Sequence, residues 1–187
     1  MNRTIFRTPV VSFLCHYVSR FFMRLRGWKV VGSAPTAKKY VLIAAPHTSN
    51  YDFPLMIGAA FTLRMDVHWM GKSSLFQFPL GTIARWFGGI AIDRSRSNNT
   101  VDATVEVFKQ RDELVVVIPP EGTRAKVTKW KSGFYHIAHQ AGVPIILGYI
   151  DTATKTAGFG HSYTPTGDFE KDMVEIQAFY KDKKGFD

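Results

Sequence analysis

The chain has 187 residues, 45% of them hydrophobic and 21% charged, which excludes a disordered chain and suffices for one domain that needs no staples. Its lone cysteine, Cys15, excludes an internal disulfide and a cysteine metal cluster and fits a reducing compartment. Lys and Arg number 24 against 15 Asp and Glu, so the net charge of +9 calls for an anionic partner: nucleic acid, an acidic membrane surface or a phosphorylated small molecule.

Residues 10 to 25 read as an amphipathic helix. Val10, Val11, Phe13, Leu14, Tyr17, Val18, Phe21, Phe22 and Leu25 recur at helical spacing, with Ser12, His16, Ser19, Arg20 and Arg24 on the other side. A signal peptide does not fit, because His16, Ser19 and Arg20 interrupt the apolar region and no small-residue cleavage site follows. No run reaches the roughly 18 apolar residues of a membrane span. The apolar face can lie in a membrane interface or pack on the domain, and the arginine flank tilts the reading towards acidic headgroups.

A short strand is expected at 28–32 and a fully buried one at 40–45, YVLIAA. A helix follows over 51–63, then a strand at 67–70 and a helix over 75–87 interrupted at Pro79. Next come a strand at 89–92, a helix over 98–110 and the clearest buried strand, LVVVI at 114–118. A helix over 131–140, a strand at 144–150, a loose turn region around 158–167 and a helix over 168–182 complete the chain. Short apolar runs alternating with helices indicate an α/β fold. The expectation is a single domain, residues 28–187, with a largely parallel central sheet flanked by helices, preceded by the amphipathic helical segment 1–27.

Four strand candidates run directly into polar segments: Pro46-His47-Thr48-Ser49-Asn50-Tyr51-Asp52, Gly71-Lys72, Asp93-Arg94-Ser95-Arg96, and Pro119-Pro120-Glu121-Gly122-Thr123-Arg124. The carboxyl ends of parallel strands share one edge, where ligands bind, so these segments should converge on one mouth. His47 and Asp52 would not share a face on a continuous helix, since five residues turn about 500°. They meet if His47 sits in the loop and Asp52 in the first helical turn, with Ser49 or Asn50 as cap. Asp52 would then fix the imidazole tautomer while the other nitrogen takes a proton. The bland alternative is a capping box beside a loop histidine. Gly122, Thr123 and Arg124 at a strand end suit phosphate capture, with Lys126, Lys129 and Lys131 following as either support or a solvated basic turn. Taken singly, Lys72, Arg94 and Arg96 read as local or solvated charges. His136 and His139 lack a third ligand for a metal. There is no G-x-S-x-G elbow, no P-loop and no dinucleotide fingerprint.

Together these blocks resemble the lysophosphatidate (1-acylglycerol-phosphate) acyltransferase family, over about Trp28 to Ile150. The resemblance implies that His47 is the catalytic base with Asp52 as its partner in PHTSNYD. It implies that Arg94 in GGIAIDRSR helps to hold the acceptor, and that Glu121, Gly122, Thr123 and Arg124 in PPEGTR shape its site. Lys72 would stand near the phosphate, and Val143-Pro144-Ile145 would border the acyl chain. Pro46 stands where the family commonly has Asn, and the third block begins Pro119-Pro120 and ends in Ala125. The implied activity is O-acyl transfer from acyl-ACP or acyl-CoA to a lysophospholipid hydroxyl, with no metal, no cofactor and no nucleic acid. The implied location is peripheral, on the cytoplasmic face of a membrane. Two rivals remain: the same chemistry on another lysolipid or aminolipid, and a non-catalytic anion binder.

Overall fold

The short apolar runs satisfy their backbone groups by pairing into one sheet. The computed structural model of the chain describes residues 3–92, 97–123, 127 and 129–186, with the backbone alone at 97–99. Seven strands are ordered β1-β7-β6-β2-β5-β3-β4. They are β1 (Lys29–Val31), β2 (Lys39–Ala45), β3 (Val67–Lys72), β4 (Gly89–Ile92), β5 (Leu114–Ile118), β6 (Ile145–Asp151) and β7 (Thr156–Tyr163). The neighbours β6-β2-β5-β3-β4 are mutually parallel, while β7 opposes β6 and β1 runs parallel to β7. The α/β architecture with a mostly parallel sheet is therefore the one expected.

Six α-helices accompany the sheet among the described residues: α1 (Pro9–Leu25), α2 (Asp52–Thr62), α3 (Leu80–Trp86), α4 (Ser97–Lys109), α5 (Gly133–Ala141) and α6 (Phe169–Tyr180). The central strand β2 is apolar from Tyr40 to Ala45 because it is covered on both faces. Val41 and Ile43 meet Phe108 of α4, Phe134 and Ile137 of α5 and Ile176 of α6. Tyr40 and Leu42 meet Ala60 of α2, Met65 and Val67. Right-handed crossovers explain the division: β2-α2-β3 and β3-α3-β4 step one way across the sheet, and β4-α4-β5 and β5-α5-β6 step back.

The expected helix over 75–87 is two pieces. A 3-10 turn, Ser73–Phe76, precedes α3, and Pro79 is the residue just before that helix. The expected loose turn at 158–167 is instead mostly β7, antiparallel to β6. Gly158 and Gly160 obscure its pattern, yet each permits a close approach. A Cβ at Gly158 would lie 2.6 Å from the Val31 carbonyl oxygen, and one at Gly160 would lie 2.5 Å from the Phe179 ring.

α1 is inverted relative to an ordinary packed helix. Its buried residues are His16 and Met23, and His16 Nδ1 lies 3.0 Å from the Phe61 carbonyl oxygen of α2. Of the apolar side, Val10, Phe13, Leu14, Tyr17, Val18, Phe21, Phe22 and Leu25 face out, with exposures from 51% to 72%, while Val11 is half-buried. The start of the helix is pinned: Thr4 Oγ1 donates to Asp66 at 2.7 Å, and Arg7 pairs with Asp66 and Glu113. Charge follows the same partition. Residues 1–92, which carry α1 to α3, hold 11 cations and two acids, while the remaining residues hold 13 of each.

α6 is held by one buried carboxylate. Asp172 is fully buried and accepts from Tyr135 and Tyr163 hydroxyls at 2.7 and 2.9 Å, and from the Thr166 N–H and hydroxyl at 2.7 Å each. Burial alone would raise its pKa, but the hydrogen bonds outweigh it and hold the group down to about 2. The depressed value means that its stabilisation is complete above the ordinary aspartate range and is lost as pH falls from about 4 towards 2. Asp172→Asn is expected to cost about 3 kcal/mol in urea unfolding at neutral pH, and to flatten the pH dependence of stability within that window.

Candidate active site

The carboxyl ends of β2, β5, β3 and β4 open on one edge, and a cleft of about 1360 Å³ lies there. The β2 run ends at Ala45, and Pro46 and His47 then carry the chain over the edge. Asp52 begins α2, where the positive end of the helix favours a carboxylate.

The two side chains meet. His47 Nδ1 lies 3.0 Å from Asp52 Oδ2, with His47 21% exposed and Asp52 6% exposed. The same Oδ2 accepts the N–H groups of Thr48 and Ser49 at 2.8 Å each. The cap differs from expectation. Neither Ser49 nor Asn50 caps α2 with its side chain: Tyr51 is the N-cap residue, and Ser49 Oγ accepts only the Tyr51 N–H, at 3.2 Å. The carboxylate reaches back over the loop instead, so one group orders residues 48–49 and orients the imidazole. Asp52 Oδ1 is buried without a hydrogen-bond partner among the described residues. With Nδ1 committed to Asp52, Nε2 of His47 is the nitrogen left to take a proton in the cleft.

Glu121 has a role that sequence reasoning missed. Its carboxylate accepts the His47 backbone N–H with both oxygens, at 3.1 and 3.0 Å. It therefore ties the loop after β5 to the loop after β2. Burial pushes the Glu121 carboxyl up, against the lowering effect of that N–H. No spacing rule could have revealed this, because the partner is a peptide group 74 residues away.

Gly122 and Thr123 line the cleft. Gly122 has φ +66°, and Lys131 lies across it, so a Cβ there would be 2.7 Å from Lys131 Cδ. Lys131 also lines the cleft and is fixed through its own N–H to the Pro120 carbonyl at 2.8 Å. Trp130 beside it packs edge-on against Tyr180 of α6, with ring centroids 5.2 Å apart. This lysine is a site cation that the sequence left as one of several loop charges. His136, discounted as a metal ligand, lines the cleft as well.

Other expected residues are not gathered in the cleft. Lys72 ends β3 on the same edge but is exposed and is not among the lining residues. Pro144 lies at the opposite edge, because Ile145 is in register with Val41 and Tyr149 with Ala45. Its carbonyl accepts the Val41 N–H at 3.0 Å, and it is Ile150, at the other end of β6, that reaches the cleft. Arg94, Arg96, Arg124 and Lys126 lie outside the described residues.

Comparison with known proteins places this arrangement among relatives. A family model described as Acyltransferase matches residues 27–149, more than half of the chain. The 1-acyl-sn-glycerol-3-phosphate acyltransferase of Salmonella typhimurium is 35% identical over 132 residues, 65% of this chain and 52% of its own. That of Escherichia coli is 33% identical over 140 residues, 70% of this chain and 56% of its own. The chain thus spans about half the length of the curated relatives it matches. The crystal structure of the 1-acyl-sn-glycerophosphate (LPA) acyltransferase, PlsC, from Thermotoga maritima shares the fold. Its TM-score is 0.64 over 94% of this chain and 82% of that one, at 18% identity.

Proposed function

The chain belongs to the Acyltransferase family, and on that footing we propose that it transfers a fatty acyl group from acyl-CoA or acyl-ACP to the free hydroxyl of a lysophospholipid, 1-acylglycerol-3-phosphate above all. The observation that carries this reading is the His47–Asp52 contact of 3.0 Å at the edge of a large cleft.

In the proposed mechanism, Nε2 of His47 takes the proton from the acceptor hydroxyl. The oxygen attacks the thioester carbonyl, and the carbon–sulfur bond breaks as the ester forms. The departing thiolate is protonated by the imidazolium, which returns the base to its starting state. Asp52 stabilises that imidazolium and fixes its tautomer. Glu121 acts through the backbone, holding the His47 peptide in place. Lys131, with Gly122 and Thr123, offers the acceptor headgroup a cation and a backbone turn, and Arg94 and Arg124 are proposed to join them. Residues 28–187 are the proposed catalytic domain.

The inverted α1 supports a peripheral membrane location, proposed to be on the cytoplasmic face, for the segment 1–27. No described helix is long and apolar enough to cross a bilayer. A helix that turns eight large apolar side chains outward and keeps Arg20 and Arg24 exposed suits an interface of acyl chains beside anionic headgroups. Its acceptor is itself a lipid.

The test is thiol release from an acyl thioester with and without added lysophosphatidate, paired with detection of phosphatidate. Acceptor-dependent thiol release in step with phosphatidate is expected. No acceptor-dependent release across a panel of lysolipids and aminolipids would sink the proposal. In the same assay Lys131→Ala is expected to raise the KM for lysophosphatidate about tenfold, a change of about 1.4 kcal/mol, and to leave kcat within about twofold.

A further inference from the structure

We propose that the segment between β3 and β4, residues 73–86, is a second point of contact with an anionic lipid bilayer, separate from α1 and set beside the mouth of the cleft. This rests on the peripheral membrane reading above. The segment leaves the carboxyl end of β3, so it starts on the sheet edge that carries His47. Four large apolar side chains project from it: Leu75 is 54% exposed, Leu80 66%, Ile83 53% and Phe78 96%.

These side chains are held out on a stiff support. Phe76 is buried, with its ring 5.8 Å from that of Trp69. Arg85 donates to the Phe76 carbonyl at 3.2 Å and lies 5.5 Å over the Phe76 ring. Gly81 packs so closely that a Cβ there would fall 2.0 Å from the same carbonyl oxygen. Four large exposed apolar side chains grouped on one short, firmly seated segment mark an interaction surface.

Two observations point to lipid as the cover. From Val67 to Ile92 there is no acidic residue, while Lys72 and Arg85 flank the apolar group. The segment also lies within residues 1–92, which hold 11 cations against two acids, and Trp86 Nε1 donates to Thr8 Oγ1 at 3.1 Å, just before the start of α1. Contacts at α1 and at residues 73–86 would bracket α2 and hold the mouth of the cleft towards the bilayer. An acidic carrier protein is disfavoured, because the segment presents four bulky apolar groups and only two cations.

The experiment uses the full chain with Cys15→Ser and Phe78→Cys, labelled with an environment-sensitive fluorophore. It is mixed with vesicles of equal parts phosphatidylcholine and phosphatidylglycerol carrying brominated acyl chains. A blue shift and bromine quenching are expected, and both should weaken on phosphatidylcholine alone. In unlabelled protein, Leu80→Ser with Ile83→Ser is expected to lower the partition coefficient on the same vesicles about tenfold. Quenching of a label at Phe21→Cys but not at Phe78→Cys would overturn this proposal and leave α1 as the contact. Quenching at neither would overturn it together with the membrane reading. A shift at Phe78→Cys with acyl carrier protein and not with vesicles would assign the surface to a protein. Leu80→Cys is the alternative label site if the melting temperature of the Phe78→Cys protein falls.

Discussion

His47→Ala is expected to lower kcat about 10³-fold while the KM for lysophosphatidate stays within about threefold. The loss is confined to the chemical step, because the side chain contributes only a proton acceptor and the lipid is held elsewhere. The fold should survive, since the imidazole is partly exposed and the loop is ordered by other bonds. Glu121 grips the peptide N–H of residue 47, and Asp52 grips those of Thr48 and Ser49. All three persist when the ring is removed. Thermal unfolding close to that of the parent, with thiol release near background, is the expected pair of results. Turnover near that of the parent would remove the proposed base.

Asp52→Asn is expected to cost about 10³-fold in kcat, again with little change in KM. The substitution separates charge from hydrogen bonding. The amide oxygen can occupy the place of Oδ2 and continue to accept from Thr48, Ser49 and the imidazole. The amide nitrogen then takes the place of Oδ1, which has no partner to lose. What disappears is the negative charge that stabilises the imidazolium once the acceptor has given up its proton. Stability should fall by about 1–3 kcal/mol, because the buried amide nitrogen meets no acceptor, so a large kinetic loss in a variant that still unfolds cooperatively would identify the charge as the active ingredient. A kcat within about threefold of the parent would reduce Asp52 to a loop tether.

The two predictions concern residues that the sequence displayed openly, and the reason is physical. His47 and Asp52 follow a continuous apolar run, and a run such as YVLIAA has few options other than a strand covered on both faces. Parallel neighbours then put the loop at the ligand edge. The central strands and the helices between them were legible for the same reason. β7 was not, because Gly158 and Gly160 look like turn residues until Val31 and the Phe179 ring are seen pressing against them. The family block around Pro144 was legible as a block, but the end of the strand on which it stands depends on register, which one-dimensional spacing does not encode.

α1 shows a different limit. Its two faces were plain in the sequence, but amphipathicity states only that the faces differ. Which of them meets the protein is decided by the partner helix. Gly58 of α2 leaves room for Met23 to approach closely, and the Phe61 carbonyl meets the imidazole of His16. Glu121 marks the same boundary at the site. The resemblance implied that Glu121 shapes the acceptor site, whereas its observed contact is with another residue's backbone N–H.

The segregation of charge between the two halves of the chain has a kinetic consequence. A molecule whose excess charge sits in one half of its chain carries an electric dipole, and near a negatively charged sheet of headgroups it would experience a torque as well as a pull. Rotation into register can therefore precede touch, within the reach of about 8 Å that physiological salt permits. If the proposed bilayer contact forms, raising the ionic strength should slow arrival far more than it hastens departure, because escape would be governed by inserted apolar side chains that feel no screening.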